Sequence, residues 1–409
     1  RVQHPASGHA SQPEKIQEPE NQKKTWQPPG IITRLLFNLL LWIMYLIFAP
    51  LNELLGRRHR QINGPIKVLR LVSIITQGGV AKVALQTMLR LPHDEVETTL
   101  LVFDEKNAST QSLLENEKIH LINRKMQLWC GSYKFKLFRH IFKLASLIRE
   151  VNPDLIHVHE PQFTPVVRIA AGIAGGRKII VHMHNDYQQR RRTLKEDQLP
   201  LNLRSLRRSY LLACSQTIYE ATLGLVGKPE HPGEVIEDGT DDIPDRKHNP
   251  ALHEDLKRAA NSRHIICMMA HLMPHKRIED FLMACRILLD EGYDIFVLLM
   301  AYGKPKHEEQ MREKFNELFQ PHEGEFLYRV KAPQHLLDLI SIGVSTSSLE
   351  GLGLHLLEYQ VQVRHLKRLL GDEALCQRLG EAGCTRANLR KWSDTAKHSV
   401  DYYRQVLKD

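Results

Sequence analysis

The sequence predicts an α/β protein of two similar, doubly wound parallel sheets facing a cleft, preceded by an apolar helix. Three observations predict it. Short apolar runs alternate with helical runs in two separate stretches of the chain. A junction from about Pro229 to Pro250, dense in Pro, Gly, Asp and His, divides the two stretches. Glycines and histidines gather where several of the apolar runs end, and ligands of such sheets bind at the carboxyl ends of the strands.

The 409 residues suit two domains with extra segments. An apolar content of 42% and a charged content of 25% belong to a globular chain with real cores. The net charge of +9 favours anionic partners such as phosphorylated donors or anionic lipid. Nucleic acid is not expected, because the basic residues are interspersed with acids and no binding signature is present. Six cysteines lie scattered without a Cys-x-x-Cys pair, which argues against a disulfide framework or zinc ribbon and for a reducing compartment.

Residues 1–30 are rich in Gln, Glu, Lys and Pro and read as a disordered tail. Residues 31–60 read as a hydrophobic membrane anchor. The run from Leu35 to Leu51, broken only by Asn38, is about 17 residues, the lower limit for crossing a bilayer. A spanning helix, an in-plane anchor and a buried helix all fit it. Arg57, Arg58 and Arg60 follow the run, on the wrong side for a cleaved signal peptide. They favour a cytoplasmic location for what comes next, at the inner face of the cell membrane.

Residues 61–240 form the first predicted domain. Lys67–Ile75 reads as a strand ended by Gln77-Gly78-Gly79, Val80–Leu91 as a helix and Glu97–Phe103 as a second strand. Phe135–Glu150 is a helix, and Leu155–His159 and Lys178–His182 are short strands. Residues 241–390 repeat the pattern. His264–Ala270 is a strand, Arg277–Asp290 a helix, and Ile295–Met300 a strand ending at Tyr302-Gly303. A helix over Lys306–Leu318 and a strand over Ile342–Ser345 follow. Leu366–Leu379 reads as a late helix, and residues 391–409 as a terminal crossover helix over Trp392–Leu407.

The most informative stretch is Ser347 to Glu358. It places Glu350 and Glu358 around Gly351 and Gly353, with Leu354, Leu356 and Leu357 opening a helix. Glycines there suit a tight loop approaching a ligand. The helix start presents unpaired N–H groups that hold phosphate, while the two carboxylates suit sugar hydroxyls.

Ser-x-x-Glu-Gly-x-Gly-x-x-x-Leu-Glu resembles the Glu-x7-Glu signature of retaining glycosyltransferases with the GT-B fold, in the large family 4 group. The resemblance covers roughly residues 66–358 and implies two Rossmann-like domains around a nucleotide sugar. Glu350 would contact the donor sugar and Glu358 the ribose. Gly78 and Gly79 would line the loop facing donor and acceptor, and His184 in Val181-His182-Met183-His184 would sit by the reacting carbon. Ala270-His271-Leu272-Met273-Pro274-His275-Lys276-Arg277 is similar to the family's Gly-Arg-Leu-x-x-x-Lys-Gly segment, where Arg and Lys neutralise the diphosphate. Lys276 matches the Lys; His271 replaces the Arg. Gly303 resembles the turn lining the nucleotide, and Glu237-Asp238-Gly239-Thr240-Asp241 the interdomain Asn-Gly-x-Asp turn, with Asp238 for Asn.

His157, His159, His182 and His184 share strand faces in pairs and raise the question of zinc. No carboxylate or cysteine has fitting spacing, and the resemblance implies neither metal nor cofactor beyond the donor. The implied acceptor is a saccharide or lipid-linked saccharide, in cell-surface polysaccharide or glycolipid synthesis. After Glu358 the family continues through two more strands, about forty residues that this chain lacks, so the second domain reads as truncated. With His271, that gap also fits an inactive relative that binds a nucleotide sugar or a partner at the membrane. Arg190, Arg191, Arg192, Arg204, Arg207 and Arg208 read as a basic surface patch.

Overall fold

The computed structural model describes residues 30–56, 64–73, 79–103, 119–130, 133–185, 198–239, 250–330, 333–347 and 359–409. The first sheet holds β1 (Ile66–Val72), β2 (Val96–Val102), β3 (His120–Asn123), β4 (Leu155–Val158), β5 (Lys178–Met183), β6 (Tyr210–Ala213) and β7 (Glu234–Val235). All pairings are parallel, in the order β3-β2-β1-β4-β5-β6-β7. The helices of this half are α1 (Ile31–Gly56), α2 (Gly79–Leu89), α3 (Lys136–Val151), α4 (Thr164–Ile173), α5 (Leu199–Arg207) and α6 (Gln216–Val226). β4 and β6 are buried at every position, as expected of parallel strands covered on both faces.

The second half begins with α7 (Pro250–Ala260), then β8 (His264–His271), α8 (Ile278–Asp290), β9 (Ile295–Tyr302), α9 (Pro305–Leu318), β10 (Gly324–Tyr328) and β11 (Ile342–Val344). Its four described strands are parallel in the order β10-β9-β8-β11. α10 (Tyr359–Leu370), α11 (Glu373–Asn388) and α12 (Trp392–Lys408) follow. The single late helix expected over Leu366–Leu379 is two helices instead. Gly371 and Asp372 interrupt it, and Asp372 caps α11 by accepting from the Leu375 N–H at 2.8 Å.

α1 is a wall of the first domain and not a detached tether. Phe37, Leu41, Tyr45, Ala49 and Asn52 are buried along one stripe. The backbone of α1 meets α4 so closely that a Cβ on Gly172 would lie 2.0 Å from the Phe48 carbonyl oxygen. Glu53 pairs with Arg168 at 3.3 Å and with Arg208 at 3.4 Å. Arg208 therefore belongs to this internal junction and not to a free basic patch. Arg204 and Arg207 are exposed, and Arg190–Arg192 lie outside the described residues. By length and composition alone, with a mean hydropathy of 2.1, α1 is able to cross a membrane.

α12 crosses back to the first sheet. Ala396, Val400, Tyr403 and Val406 pack with Ile66, Val68, Leu155 and Ile180 in one apolar cluster. Tyr402 donates its hydroxyl to the Leu211 carbonyl at 3.0 Å, and Lys178 Nζ donates to the Val406 carbonyl at 2.8 Å.

Candidate active site at the two switch points

In a doubly wound sheet the ligand crevice opens where the strand order reverses. The first sheet reverses between β1 and β4, the second between β8 and β11. The carboxyl ends of these four strands lead into Ser73, His159, His271 and Thr346. These four residues thus stand at the two positions where the topology makes a crevice.

At the first switch point, Glu160 follows β4 and accepts from the Ser73 N–H at 2.7 Å and also from the Ser73 hydroxyl. This carboxylate fixes the exit of β1. Sequence reasoning missed the pair, although an acid directly after a strand was the available signal. Gly79 opens α2 at the far side of the same loop. Gly78 and the rest of the loop lie outside the described residues.

Behind this crevice His157, His159, His182 and His184 lie side by side on β4 and β5 and at their ends. His159 Nδ1 and His184 Nε2 are 3.2 Å apart, and the His182 and His184 rings 3.9 Å between centroids. His157 Nδ1 meets the Tyr403 hydroxyl at 2.8 Å. Burial, and after it the neighbouring imidazoles and Arg70, holds His157, His159 and His182 well below the ordinary histidine range, so all three are neutral. Asp238, beyond β7, is pushed up to about 7 by burial.

Two groups offer ligand atoms within 4.8 Å of one another: His157, His159 and His182, and His182, His184 and Asp238. The second supplies the carboxylate that sequence spacing did not reveal. A dication there would also meet the fully buried Arg70 guanidinium, whose charge acts on three of the four imidazoles.

At the second switch point a short 3-10 turn, Pro274–Lys276, follows β8 and carries Lys276. Thr346, just past β11, reaches back to this turn. Its hydroxyl lies 2.7 Å from the Lys276 carbonyl oxygen and 2.8 Å from that of Arg277. Ser347 donates to the His275 carbonyl at 3.4 Å. Arg277 stands where the similar family segment has Gly, yet it adopts the left-handed conformation, φ 47° and ψ 44°, and its guanidinium pairs with Asp280. The bend survives although the residue best suited to it is gone.

His271 is half-buried at the end of β8, its ring 4.8 Å from that of Tyr302. Burial first, then His275, Lys276 and His307, lowers its pKa. It is therefore uncharged at neutral pH, unlike the arginine it replaces. Gly303 lies behind it, its carbonyl accepting from the Tyr328 hydroxyl at 2.7 Å, and a Cβ there would press on Leu272 at 3.0 Å. The structure thus brings Lys276, His271 and Gly303 to one strand-end cluster and points Ser347 into it. Glu350, Gly351, Gly353, Leu354 and Glu358 lie outside the described residues. A separate cavity of about 490 Å³ lies between the turn and α9, walled by Met273, Arg277, His307 and Lys314 among others; neither His271 nor Lys276 lines it.

The Glycosyltransferase Family 4 model matches residues 77–242, and the Glycosyl transferases group 1 model matches residues 253–362. No curated protein matches the sequence. Among solved structures the chain is similar to HepE of Anabaena in complex with UDP and glucose, at 15% identity and a TM-score of 0.68, over 83% of this chain and 100% of that one. It is also similar to a glycosyltransferase from Rickettsia africae, at 14% identity and a TM-score of 0.67, over 84% and 99%. Sucrose-phosphate synthase from Thermosynechococcus elongatus gives 14% and 0.64, over 84% and 99%. These likenesses carry the fold of two Rossmann-like domains. By the two family matches, which together span more than half of it, the chain belongs to the GT-B glycosyltransferases of family 4 and group 1.

Proposed function

We propose that this glycosyltransferase moves a sugar, with retention at the anomeric carbon, from a nucleotide diphosphate sugar to a saccharide or lipid-linked acceptor. The observation that carries this reading is the link from Thr346 to the turn bearing Lys276. It holds the cation suited to a diphosphate against the strand that runs directly into the Glu350–Glu358 stretch. Lys276, with the N–H groups following Gly351, Gly353 and Leu354, would hold the diphosphate. Glu350 would grip the donor sugar and Glu358 the ribose. Gly303 and His271 would border the nucleotide, with Gly78 and Gly79 near the phosphates and His184 beside the reacting carbon.

In the step proposed, the bond from the anomeric carbon to the diphosphate oxygen breaks, and the acceptor oxygen bonds to the same face. The acceptor proton passes to the departing phosphate oxygen. No metal or cofactor enters. HepE has been solved with UDP-glucose, which makes a UDP-sugar the first donor to try. We place it at the cytoplasmic face of a membrane, in cell-surface polysaccharide or glycolipid synthesis; the long apolar α1 supports the attachment to a membrane.

Incubation with labelled UDP- and GDP-sugars, followed by anomeric proton NMR of the products, tests the reading. Release of the α-anomer from an α-linked donor supports it, and inverted product refutes it. The neutral His271 favours a second reading, a relative that binds the nucleotide sugar without turning it over. Nucleotide binding with no donor hydrolysis would support that one.

A further inference from the structure

The stripe of α1 that faces the domain is accounted for; the opposite side is not. Leu36, Leu39, Ile43, Leu46, Ile47 and Leu54 point away from the domain and are 45–68% exposed. Together they expose roughly several hundred Å² of continuous apolar surface, the scale at which a patch marks a binding face. Residues 35–52 carry no charge.

The packing decides how such a helix meets lipid. α1 is fastened to the domain at both Gly172 and Gly176, where an added Cβ would strike Phe48 and the Gly56 nitrogen. Its last turns hold the Glu53 link to Arg168 and Arg208. A spanning α1 would drag α4, α5 and these charges to bilayer depth, at several kcal/mol for each charged group. Lying flat, it keeps the domain in water while its outer face enters lipid.

α3 packs beside α1, against the N-terminal end of its inner stripe. Phe37 of α1 touches Phe135 at 5.7 Å and Phe138 at 5.3 Å between ring centroids. Phe135 and Phe142 are about half exposed, beside the exposed Lys136, Arg139 and Lys143. The three cations stand three and four residues apart along α3, on one side of the helix. Exposed aromatics interleaved with cations beside an apolar face match the boundary of an anionic bilayer and not a purely apolar protein groove.

We propose that α1 lies in the plane of an anionic phospholipid bilayer, its outer leucines and isoleucines among the acyl chains and Lys136, Arg139 and Lys143 against the lipid phosphates. This rests on the membrane attachment proposed above but not on the transfer chemistry.

Flotation of the full chain with phosphatidylcholine vesicles, with and without phosphatidylglycerol, provides the first test. Binding is expected to be stronger to the anionic vesicles and weakened by salt. Lys136→Gln, Arg139→Gln and Lys143→Gln together should lower anionic affinity about a hundredfold, leaving the melting curve and UDP binding unchanged. Nitroxides placed by Leu36→Cys, Ile43→Cys and Leu54→Cys, with Cys376→Ser and Cys384→Ser, then report depth through their accessibility to oxygen and to a nickel chelate. Equal, shallow depths support the in-plane seat. Tight vesicle binding with depths graded through the bilayer centre overturns it while leaving membrane attachment standing. Failure to bind any vesicle, or nitroxides already shielded in a soluble oligomer, overturns both.

Discussion

Thr346 donates its hydroxyl to the Lys276 carbonyl at 2.7 Å, across 70 residues of sequence, and so closes the switch point of the second sheet. The same hydroxyl lies 2.8 Å from the Arg277 carbonyl. One small side chain therefore sets the angle of the turn that presents Lys276. Thr346→Val keeps the shape and removes the donor. We expect kcat/KM for the donor to fall about tenfold, in line with a positioning hydrogen bond worth about 1–1.5 kcal/mol. Thr346→Ser should restore most of it in the same steady-state assay.

Lys276→Ala should cost more, because it removes the charge and not only its position. A loss of about a hundredfold to a thousandfold in kcat is expected, the scale for one donor aimed at developing charge. His271→Arg should act in the opposite direction. His271 is neutral at pH 7 and gains charge only as pH falls, so the wild-type affinity for a diphosphate should rise toward acid pH. Arginine is charged throughout, so the variant should bind UDP more tightly at pH 8, with a flatter pH profile. Calorimetric titration of UDP at several pH values checks both.

The strand and helix pattern was legible because buried parallel strands write themselves as apolar runs. β1, β4, β5, β8 and β9 were all visible in this way. β3 was missed because none of its four side chains is buried, and β10, Gly-Glu-Phe-Leu-Tyr, because it has a single buried apolar side chain; β6 is buried throughout, and nothing in the structure explains why it was passed over. Motif spacing singled out Lys276, His271 and Gly303, and the fold brings them to neighbouring strand ends. Ser73 with Glu160, Thr346 with Lys276 and Arg70 with Tyr403 were illegible for a different reason. Each joins segments at least 70 residues apart, and no local period encodes such a pairing. The docking of α1 was hidden too, since an apolar helix reads alike whether protein or lipid covers it.

Stability should fall on the acid side because of the buried histidines. His157, His159 and His182 titrate well below 6.5 when folded and near 6.5 when unfolded. As pH drops below about 6.5 the unfolded chain takes up protons that the native one refuses, so stability declines. Asp238 has the opposite slope. Its native pKa is about 7 against 3.8 unfolded, so stability is lost as pH rises across that window. Asp238→Asn removes this opposing contribution. The variant should gain on the order of 1 kcal/mol over wild type at pH 8, discounted because Asp238 retains some exposure, and little at pH 4. Urea melts across pH measure the difference.

Tyr403→Phe should destabilise by about 3 kcal/mol, because the Tyr403 hydroxyl accepts from Arg70 Nη2 at 2.5 Å. Arg70 is fully buried, and its Nε and Nη1 have no hydrogen-bond partner among the described residues. Losing the tyrosine strands the charge. Arg70→Met, which removes the charge, should stay within about 1 kcal/mol of wild type and reduce the further cost of Tyr403→Phe to that of the lost contact with His157 Nδ1, about 1 kcal/mol. A double-mutant cycle in urea resolves the coupling.

The return of α12 to the first sheet has a consequence for biosynthesis. Ile66, Val68, Leu155 and Ile180 are covered by Ala396, Val400 and Val406. On the ribosome, β1 to β7 emerge well before that cover does, by on the order of ten seconds at ordinary elongation rates. Throughout that interval the nascent first half carries an unroofed apolar surface, which makes it a natural client for chaperones until the distant helix arrives.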